Sequence, residues 1–169
     1  MIINFNKTMF NKKYIDLITK AYDYALKLLE VSCKDLEVNI DFVSPSRIKQ
    51  LNNDFRNKNS ITDVLSFPNL LKEGVENEQI ICDKISKSNF SADINPENNC
   101  LFLGDICICK KIVFRQAKEY GNTKEREMVY MAVHGLLHLL GFDHILDTDK
   151  ANMRKAEEKI MKHVNLERK

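Results

Sequence analysis

The stretch Val133-His134-Gly135-Leu136-Leu137-His138-Leu139-Leu140-Gly141-Phe142-Asp143-His144 constrains this chain more than any other part of it. His134 and His138 are four residues apart, which on a helix puts both imidazoles on one face, a turn apart. Gly141 can take the left-handed backbone that ends a helix and turns the chain back. The turn returns His144 toward the first two rings, so three histidines can converge on one point. Histidine pairs at this spacing also arise by chance, and a single histidine usually makes an ordinary hydrogen bond. Here three of the chain's four histidines gather around one helix-stopping glycine, among Leu136, Leu137, Leu139 and Leu140. Unpaired imidazoles in such apolar surroundings would cost desolvation energy with no return. The expected ligand set is therefore His134, His138 and His144, holding one zinc ion with water or a substrate oxygen in the open fourth position.

A chain of 169 residues fits one domain, 1–169, and can bury a real core. No segment is long and apolar enough to cross a bilayer. Residues 1–10 lack the basic region, apolar run and cleavage site of a signal peptide, so a cytoplasmic location is expected. The five cysteines, Cys33, Cys82, Cys100, Cys107 and Cys109, have neither disulfide-framework nor zinc-ribbon spacing. They read as small packing residues in a reducing compartment, without disulfide partners, and Cys107 and Cys109 should share one face of a strand. A net charge of +2 does not announce a nucleic-acid binder. Any RNA affinity must come from a local patch.

Along the chain, residues 1–5 form a candidate first strand. Tyr14, Ile18, Ala21, Tyr22, Ala25, Leu28 and Leu29 recur at helical spacing over 12–30, giving an amphipathic helix whose tyrosines are packing groups. Leu36, Val38, Ile40 and Phe42 alternate with polar residues in a half-buried strand. Ser44-Pro45 reads as a cap with proline in the first turn of a helix running to about Phe55. Val64 to Phe67 is a short strand closed by Pro68. Residues 69–100 are polar and turn-rich and read as a surface loop insertion, with Ile80, Ile81 and Ile85 as one possible short element. Leu101 to Ile108 is a strand on which Asp105 shares a face with Leu101, Leu103 and Cys107. A carboxylate on such a face wants a partner: either a metal-bound histidine that it orients, or a helix terminus. Residues 110–120 form a helix ended at Gly121. Asn122 or Thr123 caps the next helix, which is apolar nearly all round, runs to Leu140 and should be the buried central one. Asp147 or Thr148 caps a final helix with Met153, Ala156, Ile160 and Val164 inward. His163 reads as an ordinary surface residue. With strands and helices alternating early and helices dominating late, the class is one α+β (α/β-like) domain: a small mixed sheet with helices packed on it.

Two families carry related patterns. Long-spacing zinc proteases carry H-E-x-x-H-x-x-G-x-x-H, whose Glu is the general base. The histidines and Gly141 fit that frame, but Gly135 cannot take a proton from water. The pattern resembles more closely H-G-x-L-H-L-x-G-[FY]-D-H, the signature of the YbeY family of bacterial endoribonucleases, and fits it at every fixed position. Leu51-Asn52-Asn53-Asp54-Phe55-Arg56, Thr62-Asp63-Val64-Leu65-Ser66-Phe67-Pro68 and Leu103-Gly104-Asp105-Ile106 resemble the family's other conserved pieces. By itself Arg56 reads as a solvated surface arginine. The resemblance implies that it belongs to the active site, and it implies a four-stranded mixed sheet with five or six helices. It further implies a single-strand-specific, metal-dependent endoribonuclease that acts on ribosomal RNA of the small subunit, at its 3′ end, and in ribosome quality control.

The chemistry is coherent. Three neutral imidazoles leave zinc its full charge for polarising a phosphoryl oxygen or activating water. Arg56 supplies a planar fork for the phosphate, so Arg56 and His134 are the expected catalytic residues. Asp143 either accepts a proton or fixes an imidazole, the second role being favoured. Lys110, Lys111 and Arg115 lead the candidate RNA-contacting cations, with Arg47, Lys49, Lys58 and Lys118 behind them. The alternatives are a zinc peptidase with an unusual base, or a non-catalytic ribosome-associated protein whose zinc staples the fold.

Overall fold

The alternating pattern that places Leu36, Val38, Ile40 and Phe42 on one side of a strand does bury all four. The structure, a computed structural model, describes residues 1–5, 11–71, 82–143 and 146–168. Strands β1 (Ile2–Phe5), β2 (Leu36–Phe42), β3 (Val64–Pro68) and β4 (Leu101–Ile108) form one sheet in the order β1-β2-β4-β3. β2 is parallel to both β1 and β4, and β3 is antiparallel to β4. Among the described residues there are five α-helices: α1 (Lys12–Leu28), α2 (Pro45–Arg56), α3 (Lys110–Glu119), α4 (Lys124–Leu139) and α5 (Asp147–His163). The class is the expected α+β, with a mixed sheet of four strands.

α4 is the central helix. The Thr123 hydroxyl starts it by accepting the Arg126 backbone N–H at 3.1 Å. Its core side carries Met128, Val129, Ala132, Val133, Leu136, Leu137 and Leu139, all buried. From α1, the buried Tyr22 hydroxyl donates to the Ala132 carbonyl at 2.7 Å. Gly141, at φ +88°, ends the helix. Its N–H bonds the His138 carbonyl at 3.1 Å and the Phe142 N–H bonds the Leu137 carbonyl at 3.0 Å, the paired closure that a left-handed glycine permits.

α4 lies close on β4, and Gly135 is the reason it can. A Cβ built there would sit 2.7 Å from Ile106 Cγ2 and 3.0 Å from its Cδ1. Alanine would gain about 1 kcal/mol in helix propensity, but overpacking a filled core costs about 1–3 kcal/mol. Ile106 is β-branched and fully buried, so it has nowhere to move. Gly135→Ala should therefore lower stability by up to about 2 kcal/mol net in urea unfolding, with the slope unchanged. A midpoint equal to or above that of the parent would show that the contact is loose.

The sheet's other face is covered near β3 by α2. Ser44 caps α2 through the Arg47 N–H at 3.1 Å, and Pro45 opens its first turn. Ile48 and Leu51 pack there with Leu65, Cys109 and Ile112, and Cys107 lies at the margin. Burial first, then Asp41 and Asp105, push the Cys107 thiol up to about 11, so it is an unreactive packing group at neutral pH.

β4 contains one extra residue. Glu37 pairs with Phe102 and Val38 with Gly104, so Leu103 has no partner on β2. Such a bulge exchanges the two faces of a strand beyond it. Leu101, Leu103, Gly104, Ile106 and Ile108 are all buried, while Asp105 and Cys107 are half-exposed on the opposite side. The expectation that Asp105 shares a face with Leu101 and Leu103 is thus corrected, although its pairing with Cys107 stands.

Two other expectations change in detail. Leu146, not Asp147 or Thr148, holds the N-cap position of α5, without a side-chain bond. Asp147 and Asp149 sit in the first turn, where the helix dipole favours them. Within 69–100, residues 72–81, including Ile80 and Ile81, lie outside the described residues. The described remainder has one short 3-10 turn, Ser91–Asp93, and sends Leu70, Cys82 and Ile85 into the core.

Candidate functional site

The helical spacing of His134 and His138 brings their rings together at a centroid distance of 4.6 Å, nearly perpendicular at 82°. Their Nε2 atoms face one another at 3.1 Å. What each Nδ1 does determines what that contact means. His138 Nδ1 lies 2.9 Å from the Phe142 carbonyl, which can only accept, so His138 donates there. His134 Nδ1 lies 2.7 Å from Glu157 Oε1, so it donates to a carboxylate. Each neutral ring then carries its proton on Nδ1 and its lone pair on Nε2. Two lone pairs that face each other this closely want a shared cation. Nitrogens that each bind a zinc ion at about 2.0–2.1 Å can be no further apart than about 4.2 Å, and the observed pair satisfies that limit. The donor set therefore fits a metal of the imidazole-binding class. Among the described residues no group of three metal-binding side chains assembles. The expected third ligand, His144, lies outside the described residues.

Glu157 is the residue that sequence reasoning missed. It stands on the inner side of α5, with a side chain 5 % exposed. Besides His134 it takes the Tyr130 hydroxyl, on Oε2 at 2.8 Å. Burial, and then the Glu157 carboxylate, hold the Tyr130 phenol well above its usual range, so it remains a donor. A carboxylate behind an imidazole fixes its tautomer and raises its basicity. Glu157 has that place, which was one of the two roles open to Asp105. Asp105 instead accepts from Asn39 Nδ2 at 2.8 Å, across the other face of the sheet.

The remaining expected residues fall as follows. Arg56 ends α2, is exposed, and donates from Nη2 to the Ser66 carbonyl of β3 at 3.1 Å. Phe55 beside it packs edge-on against Phe67, at 5.1 Å between centroids. Ser66 itself is buried in a strand that packs on α4. Asp143 follows the helix-ending turn directly and is exposed. Lys110, Lys111 and Arg115 lie on α3, which also packs on α4. Lys110 Nζ rests 5.4 Å from the Phe114 ring, and Arg115 pairs with Glu119 at 3.5 Å. His163 stacks on Tyr24 at 3.8 Å, apart from the histidine pair.

Two oriented imidazoles on a buried helix, one of them held by a carboxylate from a second helix, over a small mixed sheet, mark an α+β protein with a paired-histidine site. The comparisons with known proteins name the family. The model of the family described as Endoribonuclease YbeY matches residues 1–165. An Endoribonuclease YbeY of Clostridium botulinum (strain 657 / Type Ba4) is 39% identical over 163 residues, covering 96% of this chain and 95% of that protein. One from Finegoldia magna is 34% identical over 169 residues, covering 98% and 95%. The solution structure of TM1509 from Thermotoga maritima superposes with a TM-score of 0.59 at 27% identity, over 96% of this chain and 89% of that one. The chain belongs to the YbeY endoribonuclease family.

Proposed function

We propose that this protein is a metal-dependent endoribonuclease that cuts single-stranded RNA. Its substrate is ribosomal RNA of the small subunit, at the 3′ end, and it serves ribosome quality control in the cytoplasm. Its family supports RNA cleavage. One observation carries the metal dependence: the two Nε2 atoms 3.1 Å apart with both Nδ1 atoms committed elsewhere. His134 and His138 hold the ion, with His144 as third ligand, and zinc suits that donor set. When bound, such an ion supplies Lewis acidity toward a phosphoryl oxygen or an attacking water.

The chain's own residues do the rest. Glu157 keeps the His134 ring turned, and the Phe142 carbonyl does the same for His138. Arg56 keeps one N–H on Ser66 and has other donors for a phosphate. Its fork matches two phosphate oxygens and stabilises the charge that builds on them. Asp143 precedes His144 in sequence, and its role is to fix an imidazole rather than to accept the proton. The cations of α3 guide the strand, so binding should weaken steeply with salt. A peptidase reading fails at position 135, where a side chain would be driven into Ile106.

The test is metal analysis of the purified protein with cleavage of precursor ribosomal RNA. Arg56→Ala should keep the fold and its metal yet lose roughly 100-fold in cleavage, and undiminished cleavage would remove Arg56 from the mechanism. Glu157→Gln removes the charge behind His134, and zinc affinity by calorimetric titration should fall about 10- to 100-fold. An unchanged affinity would mean that the bond does not set the ring's donor strength.

A further inference from the structure

A cavity of about 760 Å³ opens between α3, α4 and α5, and His134 forms part of its wall. Gln116, Tyr120, Arg126, Tyr130 and Glu157 are also in that wall. Among the described residues, the buried side-chain polar atoms that lack a hydrogen-bond partner are Gln116 Oε1 and Arg126 Nε, and both belong to side chains that line the cavity. Burying such atoms unpaired costs stability, so each calls for a reason.

Both atoms are held in place. Gln116 Nε2 donates to Asp63 Oδ2 at 2.9 Å, which fixes the amide so that oxygen is the free end. Asp63 cannot swing, because its other oxygen takes the Val64 N–H at 2.8 Å and the Thr62 hydroxyl at 3.0 Å. Arg126 lies 4.8 Å over the Tyr130 ring and donates through Nη1 to the Glu127 carboxylate. Its side chain is only 12 % exposed. Two side chains of the wall therefore each keep one unspent hydrogen-bonding atom just beneath its surface, an acceptor on Gln116 and a donor on Arg126. Cations and carboxylates both line it, so no single sign of charge dominates. Tyr120, also lining it, is a 56 % exposed aromatic with Arg168 across its ring at 6.0 Å.

We propose that this cavity receives one base of the RNA strand being cut, stacked on Tyr120 and read by Gln116 Oε1 and Arg126 Nε. Every nucleobase has a donor beside an acceptor on its pairing edge and a face that stacks on aromatics. A base near a phosphate held at the histidine pair would have this cavity within reach, because His134 belongs to both. The proposal rests on the endoribonuclease reading.

The test uses the metal-loaded protein and single-stranded RNA in which one abasic nucleotide is moved along the strand. Loss of one base at a fixed offset from the cut should slow cleavage about tenfold or more, and loss elsewhere should matter little. Tyr120→Ala and Arg126→Lys should each slow cleavage of intact RNA about tenfold, erase the abasic penalty and leave metal content unchanged. In a second arm, at least one of the four nucleoside 5′-monophosphates should bind saturably, and ribose 5-phosphate should not. Cleavage insensitive to abasic sites overturns the proposal and leaves the nuclease reading standing, as does ribose 5-phosphate binding as well as the nucleotides. Nucleotide binding by a protein that cuts no RNA assigns the cavity to a free nucleotide, overturning both.

Discussion

His138→Ala is expected to empty the protein of metal and abolish RNA cleavage while the chain still unfolds cooperatively. His138 is one of two rings whose Nε2 atoms meet, and the Phe142 carbonyl positions it across the helix-ending turn. Removing it leaves that carbonyl without its imidazole donor, a loss of about 1–3 kcal/mol that a folded domain of this size can absorb. The metal loses a direct ligand, which must weaken binding by more than the roughly 10- to 100-fold that an outer partner is worth. Cleavage should fall at least roughly 100-fold, the scale of one removed electrostatic stabiliser. Elemental analysis, a cleavage assay and a thermal melt on one preparation read all three effects. If the variant fails to fold while Arg56→Ala cleaves normally, the metal is a staple and the catalytic reading is wrong.

Gly104→Ala is expected to cause the largest loss of stability from one methyl group. Gly104 sits at φ +137°, a backbone that side chains rarely adopt. A Cβ there would lie 2.2 Å from the Phe67 carbonyl oxygen and 3.1 Å from both the Asn69 nitrogen and Leu139 Cδ2. The first of these is backbone in the paired neighbouring strand, so no rotamer relieves it. Strain and overpacking together should cost at least about 3 kcal/mol, lowering the melting temperature by about 6–12 °C or more. A shift under about 3 °C would mean that β3 slides away at little cost. Such sliding would carry the Ser66 carbonyl, and Arg56 with it, so cleavage would report the movement.

Much of this architecture was legible because burial and local geometry agree. Alternation located β2, periodicity located α1, and the spacing around Gly141 located both rings and the turn after them. The sequence misled where one inserted residue changed the outcome. Period-two reasoning carried Asp105 onto the face of Leu101 and Leu103, and the bulge at Leu103 reversed it. Gly104 was the available signal, since a glycine inside a strand often marks a bulge. Glu157 was overlooked because its partner lies 23 positions earlier on another helix. Yet it stands four residues after Met153 and three before Ile160, so a carboxylate was already lodged in the apolar stripe. Gln116 and Arg126 carried no comparable mark, because an orphaned polar atom becomes visible only when its neighbours are in place.

The bond between Glu157 and His134 ties the far end of the chain to the chemistry. Tightening at the ring nitrogens and docking of α5 become linked quantities, each strengthening the other by the same factor. If the proposed metal site is right, damage to α5, by clipping or by destabilising change, should register first as weaker metal binding, before any general unravelling.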